Sequence, residues 1–224
     1  MLRSEGGPST GDQDADKAYD FAGDTYNYFL TQHGRDSYDG KGASLISTVH
    51  FCSATECPYP NAGWNGTQMV YGEGFSLADD VVAHELTHAV TEKSAGVVYF
   101  MQSGALNESF SDIFGETIDL TNTGGTDTAA VRWRIGEDIP GTGAIRHMMD
   151  PTLSPTEPPD FPPGHPGKVS DPQFKCNAPR TDLGGVHSNS GVPNHAYALM
   201  VDGGKRGIAA PPRAAQFDRF FQTN

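Results

Sequence analysis

The feature that constrains this chain most strongly is a pair of histidines four residues apart, His84 and His88, with Glu85 directly after the first. Apolar residues recur at helical spacing around them and predict a helix over 79–93, capped by one of the two aspartates at its start. Residues four apart lie on one helix face, so both imidazoles can bind a single metal ion. Glu85 is turned by about 100° from His84, which suits it to take a proton from a water that the ion activates.

A second predicted helix, 106–120, supplies what such an ion still needs. A catalytic zinc has three protein ligands and one open position, and Glu108 offers the third ligand. Asp112, one turn further along the same face, and Asn107 can hold the far ring nitrogens of the two histidines. The alternative is that both motifs are ordinary solvated helix faces, which the apolar neighbours of Glu108 disfavour.

A glycine-bounded loop, 185–191, presents one more histidine. His187 can stabilise a developing oxyanion as a cation or hydrogen-bond donor. Asp182, five residues earlier, can keep that imidazole oriented and charged. Taken alone, His187 would more often be a loop histidine with a structural hydrogen bond.

Other local patterns place further elements along the chain. Apolar and aromatic spacing predicts a helix over 15–32 that ends near Gly34, and alternation predicts a strand over 44–52. Asn65-Gly66 predicts a hairpin turn that leads into a strand over 67–71. A proline-rich stretch, 150–179, is expected to form an irregular loop, and a short helix is expected over 193–201.

Charge and cysteine content narrow the possible partners and the compartment. The formal net charge is −13, from 15 basic and 28 acidic residues, which disfavours nucleic acid and anionic membrane surfaces. No apolar run is long enough to cross a bilayer. Cys52 and Cys57 are close enough to form a disulfide, while Cys176 is either free or paired elsewhere; three reduced thiols are the alternative.

Six stretches in order resemble the thermolysin family of secreted neutral metallopeptidases, and together they cover roughly residues 15–200. They are NAGWNGTQMVYGEG (61–74), DVVAHELTHAVTE (80–92), SGALNESFSDIFGE (103–116), RWRIGED (132–138), IRHMMDP (145–151) and GGVHSNSGVPNHAY (184–197). Several motifs in the family order are far more specific than the histidine motif by itself.

The resemblance implies a role for individual residues. It makes His84, His88 and Glu108 the zinc ligands, and Glu85 the general base. Tyr99 and His187 would stabilise the tetrahedral oxyanion, with Asp182 orienting His187. The residues implied to bind substrate are Asn61 and Ala62 as an added-strand edge, Arg146 on a substrate carbonyl, and Val81, Ile135, Ile139 and Ile145 around an apolar side chain.

The family's calcium site is implied only in part. Asp80, Asp119 and Glu137 match family calcium ligands, but Arg132 and Arg134 stand where the family has acids. A guanidinium cannot bind a cation, so one calcium ion or none is expected, with arginine–carboxylate pairs in its place.

The fold implied is α+β with two lobes: a β-rich N-terminal lobe over 1–78, and the zinc helix with a helical C-terminal lobe over 79–224. The activity implied is a secreted, monomeric zinc endopeptidase that cuts peptides or proteins on the amino side of bulky hydrophobic residues. Both lobes are expected to be shortened, which leaves open a non-catalytic metal-binding remnant of such an enzyme. An acidic extracellular calcium-binding module is a third alternative, but it does not explain the histidines.

Overall fold

The computed structural model describes residues 1–122, 124–126, 128–155, 164–176, 182–205 and 208–209. Its helices and short strands form an α+β fold, as expected. The elements are α1 (Gln13–His33), β1 (Ser47–Thr48), β2 (Ala62–Trp64), β3 (Met69–Tyr71), α2 (Asp79–Glu92), α3 (Met101–Asp119), β4 (Arg134–Ile135), β5 (Arg146–His147), α4 (Asp182–Asn189), α5 (Gly191–Asp202), β6 (Gly204–Lys205) and β7 (Ile208–Ala209). Two 3-10 turns, Phe75–Leu77 and Pro151–Leu153, complete the set.

Helix α1 begins and ends where local chemistry predicts. The Asp12 carboxylate caps it by accepting a hydrogen bond from the backbone N–H of Ala15. Gly34 ends it in a left-handed conformation, φ 62°, and donates its N–H to the carbonyl of Leu30. The prediction of a helix that ends near Gly34 is confirmed.

The N-terminal sheet has the strand order β1-β3-β2, with β2 antiparallel and β1 parallel to β3. Asn65 shapes the β2–β3 turn, because its side-chain oxygen accepts from the N–H groups of Thr67 and Gln68. Since β2 comes last in this strand order, it lies at an edge of the sheet in the part of the chain that the structure describes. The strand expected over 44–52 shrinks to β1, because the positive φ of 52° at His50 interrupts the extended backbone, although the N–H of Phe51 still donates to the carbonyl of Tyr71 on β3.

Helices α2 and α3 pack against each other and form the centre of the molecule. Gly115 on α3 allows the close approach, since a Cβ there would lie 2.7 Å from the carbonyl oxygen of Asp80. Ala78 is the N-cap of α2, so the prediction of an aspartate cap is wrong: Asp79 and Asp80 lie in the buried first turn. Helix α3 begins at Met101, earlier than the expected 106.

The main hydrophobic core lies under the sheet, between α1 and α2. Its buried members include Phe21, Met69, Tyr71, Val82 and Leu86. A second cluster around Trp133, Ile135 and Met148 joins the β4–β5 hairpin to α5. Two apolar side chains on α3, Leu106 and Phe110, remain 45% and 41% exposed.

The segment around His187 differs from the expected loop. Residues 182–185 take left-handed backbone angles, and a helical turn follows that carries His187. Within the proline-rich stretch, the structure describes residues 150–155 and 164–176, which contain one 3-10 turn. Residues 156–163 and 177–179 lie outside the described part of the chain. Most of the last twenty residues, with Pro211-Pro212, also lie outside them.

The cysteines divide into one pair and one thiol. Cys52 and Cys57 form a disulfide, whereas Cys176 is exposed and unpaired. Across the described ranges, no helix combines the length and apolar character that a bilayer crossing requires.

His50 links the start of α1 to the chain after β3 and makes stability depend on pH. Glu73 and Asp12 contact its two ring nitrogens at 2.6 and 2.9 Å and raise its pKa to about 9, against a smaller opposing effect of burial. The folded pKa exceeds the unfolded value of about 6.5, so this stabilisation is complete below pH 6.5 and is lost as the pH rises through 9.

We therefore expect His50→Gln to lower the midpoint of thermal unfolding at pH 6 and to leave it unchanged at pH 10. Unfolding scans of both proteins between pH 5 and 10 measure this, above the range where the carboxylates themselves take up protons. Glu73→Gln should reproduce part of the effect with the same pH dependence. A deficit that is equal at pH 6 and pH 10 would contradict the ion-pair explanation.

Candidate active site

A cleft of about 630 Å³ runs across the exposed side of α2. The edge strand β2 forms one wall, and helices α2 and α3 contribute the floor. Tyr99, Arg146 and His187 close the other side. Every side chain expected to bind zinc, and Glu85 with them, faces this cleft.

Three of these side chains converge on one point. The Nε2 atoms of His84 and His88 lie 2.9 Å apart, and the Glu108 carboxylate oxygens lie 3.2 Å from His88 Nε2 and 3.6 Å from His84 Nε2. Ligands of a tetrahedral zinc with bonds of 2.0–2.1 Å are about 3.3 Å apart, so the spacing suits that ion. Glu108 Oε2 is buried without a hydrogen-bond partner in the described structure, as a ligand atom would be.

The contacts of the two Nδ1 atoms orient the imidazole rings, so that both Nε2 atoms face inward. Asn107 donates to the carbonyl of Val97, so its side-chain oxygen faces His88 Nδ1 at 2.7 Å. Asp112 Oδ1 lies 2.9 Å from His84 Nδ1. His88 Nδ1 therefore carries hydrogen, and the Nε2 atoms of both rings face the point where the Glu108 carboxylate also converges. Two ring nitrogens this close need either a hydrogen or a metal ion between them, and a metal ion would accept the lone pairs of both.

Asp112 connects the metal-binding group to Arg146. This fully buried carboxylate receives two hydrogen bonds from the guanidinium, at 2.7 Å from Nε and 2.6 Å from Nη2, besides its contact with His84. Burial would raise the pKa of Asp112, but the charge of Arg146 and the contact with His84 lower it to about 2. Asp112 is therefore an anion throughout the physiological pH range.

Charges at the centre of the site are strongly coupled. Burial raises the pKa of Glu108, but the charges of three surrounding imidazoles, His187 first, bring it well below its usual range. Burial lowers the pKa of His88, yet Glu108 and then Glu85 raise it to about 9. The site therefore holds a buried carboxylate that attracts positive charge, which suits a metal cation.

Tyr99 and His187 meet at the open side of the metal-binding group. The Tyr99 hydroxyl donates to Glu108 and lies 3.1 Å from His187 Nε2. Asp182 accepts from the other ring nitrogen of His187 at 2.5 Å and from its backbone N–H at 3.1 Å. Burial lowers the pKa of His187, but Glu108 and Asp182 raise it to about 9, so this ring is a cation at neutral pH.

The expected substrate-binding residues are mostly found around the cleft. Asn61 and Ala62 line it at the start of the edge strand. An apolar part of the wall is formed by Val81, Ile135 and Ile145. Ile139 instead packs in the main core, and its Cδ1 would lie 2.9 Å from a Cβ placed on Gly136.

Sequence reasoning missed several residues that line or support the cleft. Trp64 on β2 donates its indole N–H to Glu92 at the end of α2, 2.7 Å away, which ties the edge strand to the metal-binding helix. Phe75 lines the apolar part of the cleft. Asn194 on α5 donates to Asp112 at 2.7 Å. Trp64 and Asn194 lie inside stretches with family resemblance, but spacing alone carried no signal of their contacts.

The carboxylates expected to bind calcium lie behind α2. Asp80 accepts hydrogen bonds from the N–H groups of Val81 and Gly136, and burial followed by the charge of Glu137 raises its pKa. Burial, followed by the charge of Asp79, raises the pKa of Asp119 to about 12. Among the described residues, the groups with metal-ligand spacing are His84–His88–Glu108 and Asp12–Asp14–His50, and the expected calcium set (Asp80, Asp119, Glu137) is not a third.

Arg132 pairs with a carboxylate from another helix. It forms a two-pronged ion pair with Asp202 at the end of α5, at 2.7 and 2.9 Å, and the Trp133 indole donates to the same carboxylate at 2.6 Å. An arginine–carboxylate pair therefore joins α5 to the β4 region next to the expected calcium site.

Comparison with known proteins places these observations in a family. The model of the thermolysin metallopeptidase catalytic domain matches residues 6–92, and that of the thermolysin metallopeptidase alpha-helical domain matches residues 95–218. An extracellular metalloprotease from Pectobacterium carotovorum is 41% identical over 90% of this chain and 58% of its own length. A thermolysin from Alicyclobacillus acidocaldarius is 44% identical over 84% of this chain and 32% of its own length.

A solved structure shows the same fold. The precursor of protealysin, a metalloproteinase from Serratia proteamaculans, superposes with a TM-score of 0.71 at 37% identity, over 88% of this chain and 62% of that one. The chain thus spans less than two thirds of the length of these relatives. The match of both family models, together with this structural likeness, shows that the chain belongs to the thermolysin metallopeptidase family.

Proposed function

We propose that this protein is a zinc-dependent endopeptidase that hydrolyses peptide bonds on the amino side of bulky hydrophobic residues. The observation that carries the proposal is the pair of inward-facing imidazole nitrogens 2.9 Å apart, with the Glu108 carboxylate beside them. His84, His88 and Glu108 would hold the zinc. When bound there, zinc lowers the pKa of a water to about 7 and polarises a carbonyl oxygen.

The surrounding residues supply the proton transfer and the charge stabilisation. Glu85, buried beside the two histidines, takes the proton of the attacking water and passes it to the leaving amine. Tyr99 and the positively charged His187 donate hydrogen bonds to the carbonyl oxygen of the cleaved peptide bond as it becomes negatively charged. Asp182 keeps His187 oriented and charged.

Substrate binding would use the edge strand and the apolar wall. The β2 segment from Asn61 would pair with an extended peptide through backbone hydrogen bonds. Arg146 would donate to a substrate carbonyl, while Val81, Ile135 and Ile145 receive the side chain after the cleaved bond. Peptides and proteins are therefore the expected substrates, and Ile139 would act only by packing behind this wall.

The proposal also covers calcium binding, secretion and oligomeric state. The Arg132–Asp202 pair supports one calcium ion or none at Asp80, Asp119 and Glu137, which titration with calcium followed by calorimetry would decide. The extracellular relative supports secretion. We further propose that the protein acts as a monomer, with lobes divided at residues 78 and 79.

Metal removal tests the proposed function directly. The purified protein should contain one zinc per chain, and it should cleave an unstructured substrate such as casein. A zinc-selective chelator should abolish both properties, and added zinc should restore them. Calcium chelation at a constant free zinc concentration is the matched control. One bound zinc without hydrolysis between pH 5 and 9 would favour a non-catalytic remnant, and absence of zinc binding would overturn the proposal.

A further inference from the structure

The Asp112 carboxylate is shared by three partners from three different parts of the fold. Oδ1 faces His84 on α2 and one guanidinium nitrogen of Arg146 on β5. Oδ2 receives the other guanidinium nitrogen and the side-chain amide of Asn194 on α5, at 2.7 Å each. Asp112 is fully buried, so its orientation depends on these partners and not on solvent.

We propose that Asn194 is a positioning residue that fixes the rotation of the Asp112 carboxylate, and thereby sets both the zinc-binding orientation of His84 and the substrate-facing orientation of Arg146. This inference rests on the proposed function, because it assigns Asn194 to the same zinc and substrate site. Asn194 itself would touch neither the metal nor the substrate.

The hydrogen-bonding capacity of each group supports this assignment. An ionised carboxylate only accepts, so Asp112 requires donors on both oxygens. The guanidinium supplies one donor to each oxygen, and His84 Nδ1 makes a further close contact with Oδ1 alone, at 2.9 Å. Asn194 adds a second donor to Oδ2, on the opposite oxygen from the one that contacts His84. Without it, Oδ2 keeps a single donor, and we expect the carboxylate to shift toward the histidine side and to carry both dependent side chains with it.

Asn194 is itself held rigidly enough to act in this way. It is 1% exposed in the first turn of α5, where its backbone N–H donates to the carbonyl of Ser190. Its side-chain oxygen has no hydrogen-bond partner within the described structure, so Asp112 alone determines which way the amide faces. An amide kept in the protein interior for one hydrogen bond to a carboxylate indicates a role at that carboxylate.

The test compares zinc affinity with catalysis in Asn194→Ala and Asn194→Asp. Zinc affinity is measured by competition with a chromogenic chelator, and kcat and KM are measured in zinc-saturated protein. Both variants should bind zinc about 10-fold or more weakly, and both should raise KM after zinc saturation because Arg146 has moved. Asn194→Asp preserves size and should bind more weakly than Asn194→Ala, since it places a second acid against Asp112.

Tyr197→Phe is the matched control for loss of one side-chain hydrogen bond on the same helix. Tyr197 lies on α5, and its hydroxyl lies 3.1 Å from the Thr117 hydroxyl of α3. It should lower the unfolding midpoint and leave zinc affinity and KM unchanged. A folded Asn194 variant with the zinc affinity and KM of the wild type would overturn the inference. Failure of the wild type to bind zinc would instead overturn the proposed function.

Discussion

Glu85→Gln is expected to lower kcat by about 10²–10⁴-fold, the range that a positioned general base contributes. The substitution keeps the size of the side chain and removes the group that accepts a proton. Glu85 lines the cleft beside the two histidines, and its charge raises the pKa values of His88 and Tyr99. Zinc affinity should change little, because Glu85 is not one of the three converging side chains. Hydrolysis rates measured with zinc-loaded protein, beside zinc content, give the result.

Glu56→Gln provides the control for this substitution. Glu56 is exposed in the disulfide-closed turn, and it should retain wild-type rates. Robust cleavage by zinc-loaded Glu85→Gln would eliminate Glu85 as the base. Loss of zinc from the same variant would mean that its role is structural or that it binds the metal.

Glu108→Gln should weaken zinc binding by more than about 100-fold, beyond the effect of changing a residue behind a ligand. The carboxylate is completely buried, and its two oxygens face three imidazoles and the Tyr99 hydroxyl. A neutral amide of the same shape removes the negative charge that the cation requires and places an N–H where a lone pair is needed. Chelator competition measures the affinity, and activity should be lost at low free zinc.

Glu116→Gln makes the same chemical change two turns further along α3. Its carboxylate accepts from the backbone N–H of Trp133, which an amide oxygen can also do, and it is not a member of the group that converges with the histidines. Zinc affinity in this control should match the wild type. If Glu108→Gln binds zinc as tightly as Glu116→Gln, then Glu108 is not a ligand.

These two predictions follow from a site built on a pair of packed helices. Helix α2 carries the histidines and Glu85, while α3 carries Glu108 and the groups behind the histidines. Rigid helices hold ligands more precisely than loops do, and Gly115 allows the two axes to approach closely enough. Loss of any one ligand therefore cannot be repaired by movement of the backbone.

Short-range patterns in the sequence were sufficient to identify the three long helices and the side chains that converge in the candidate metal site. Helical spacing placed His84 and His88 on one face, and the glycine after α1 marked its end correctly. Glu108 followed from the requirement of zinc for a third ligand, together with the resemblance of its helix to the family. The structure brings these side chains together as expected, because each inference depends on the geometry of a single helix or on a motif only a few residues long.

Only the tertiary structure decided how separate elements share the site. Asn194 reaches Asp112 across 82 residues of sequence, and Trp64 reaches Glu92 across 28. The strand over 44–52 was cut short at the positive φ of His50, and Ala78 is the N-cap of α2 because Asp79 and Asp80 lie buried in its first turn. The sequence by itself determined which groups could bind a metal and transfer a proton. Packing of α5 and β2 against the central helices decided which other side chains hold those groups in place, since such contacts join residues with no local pattern in common.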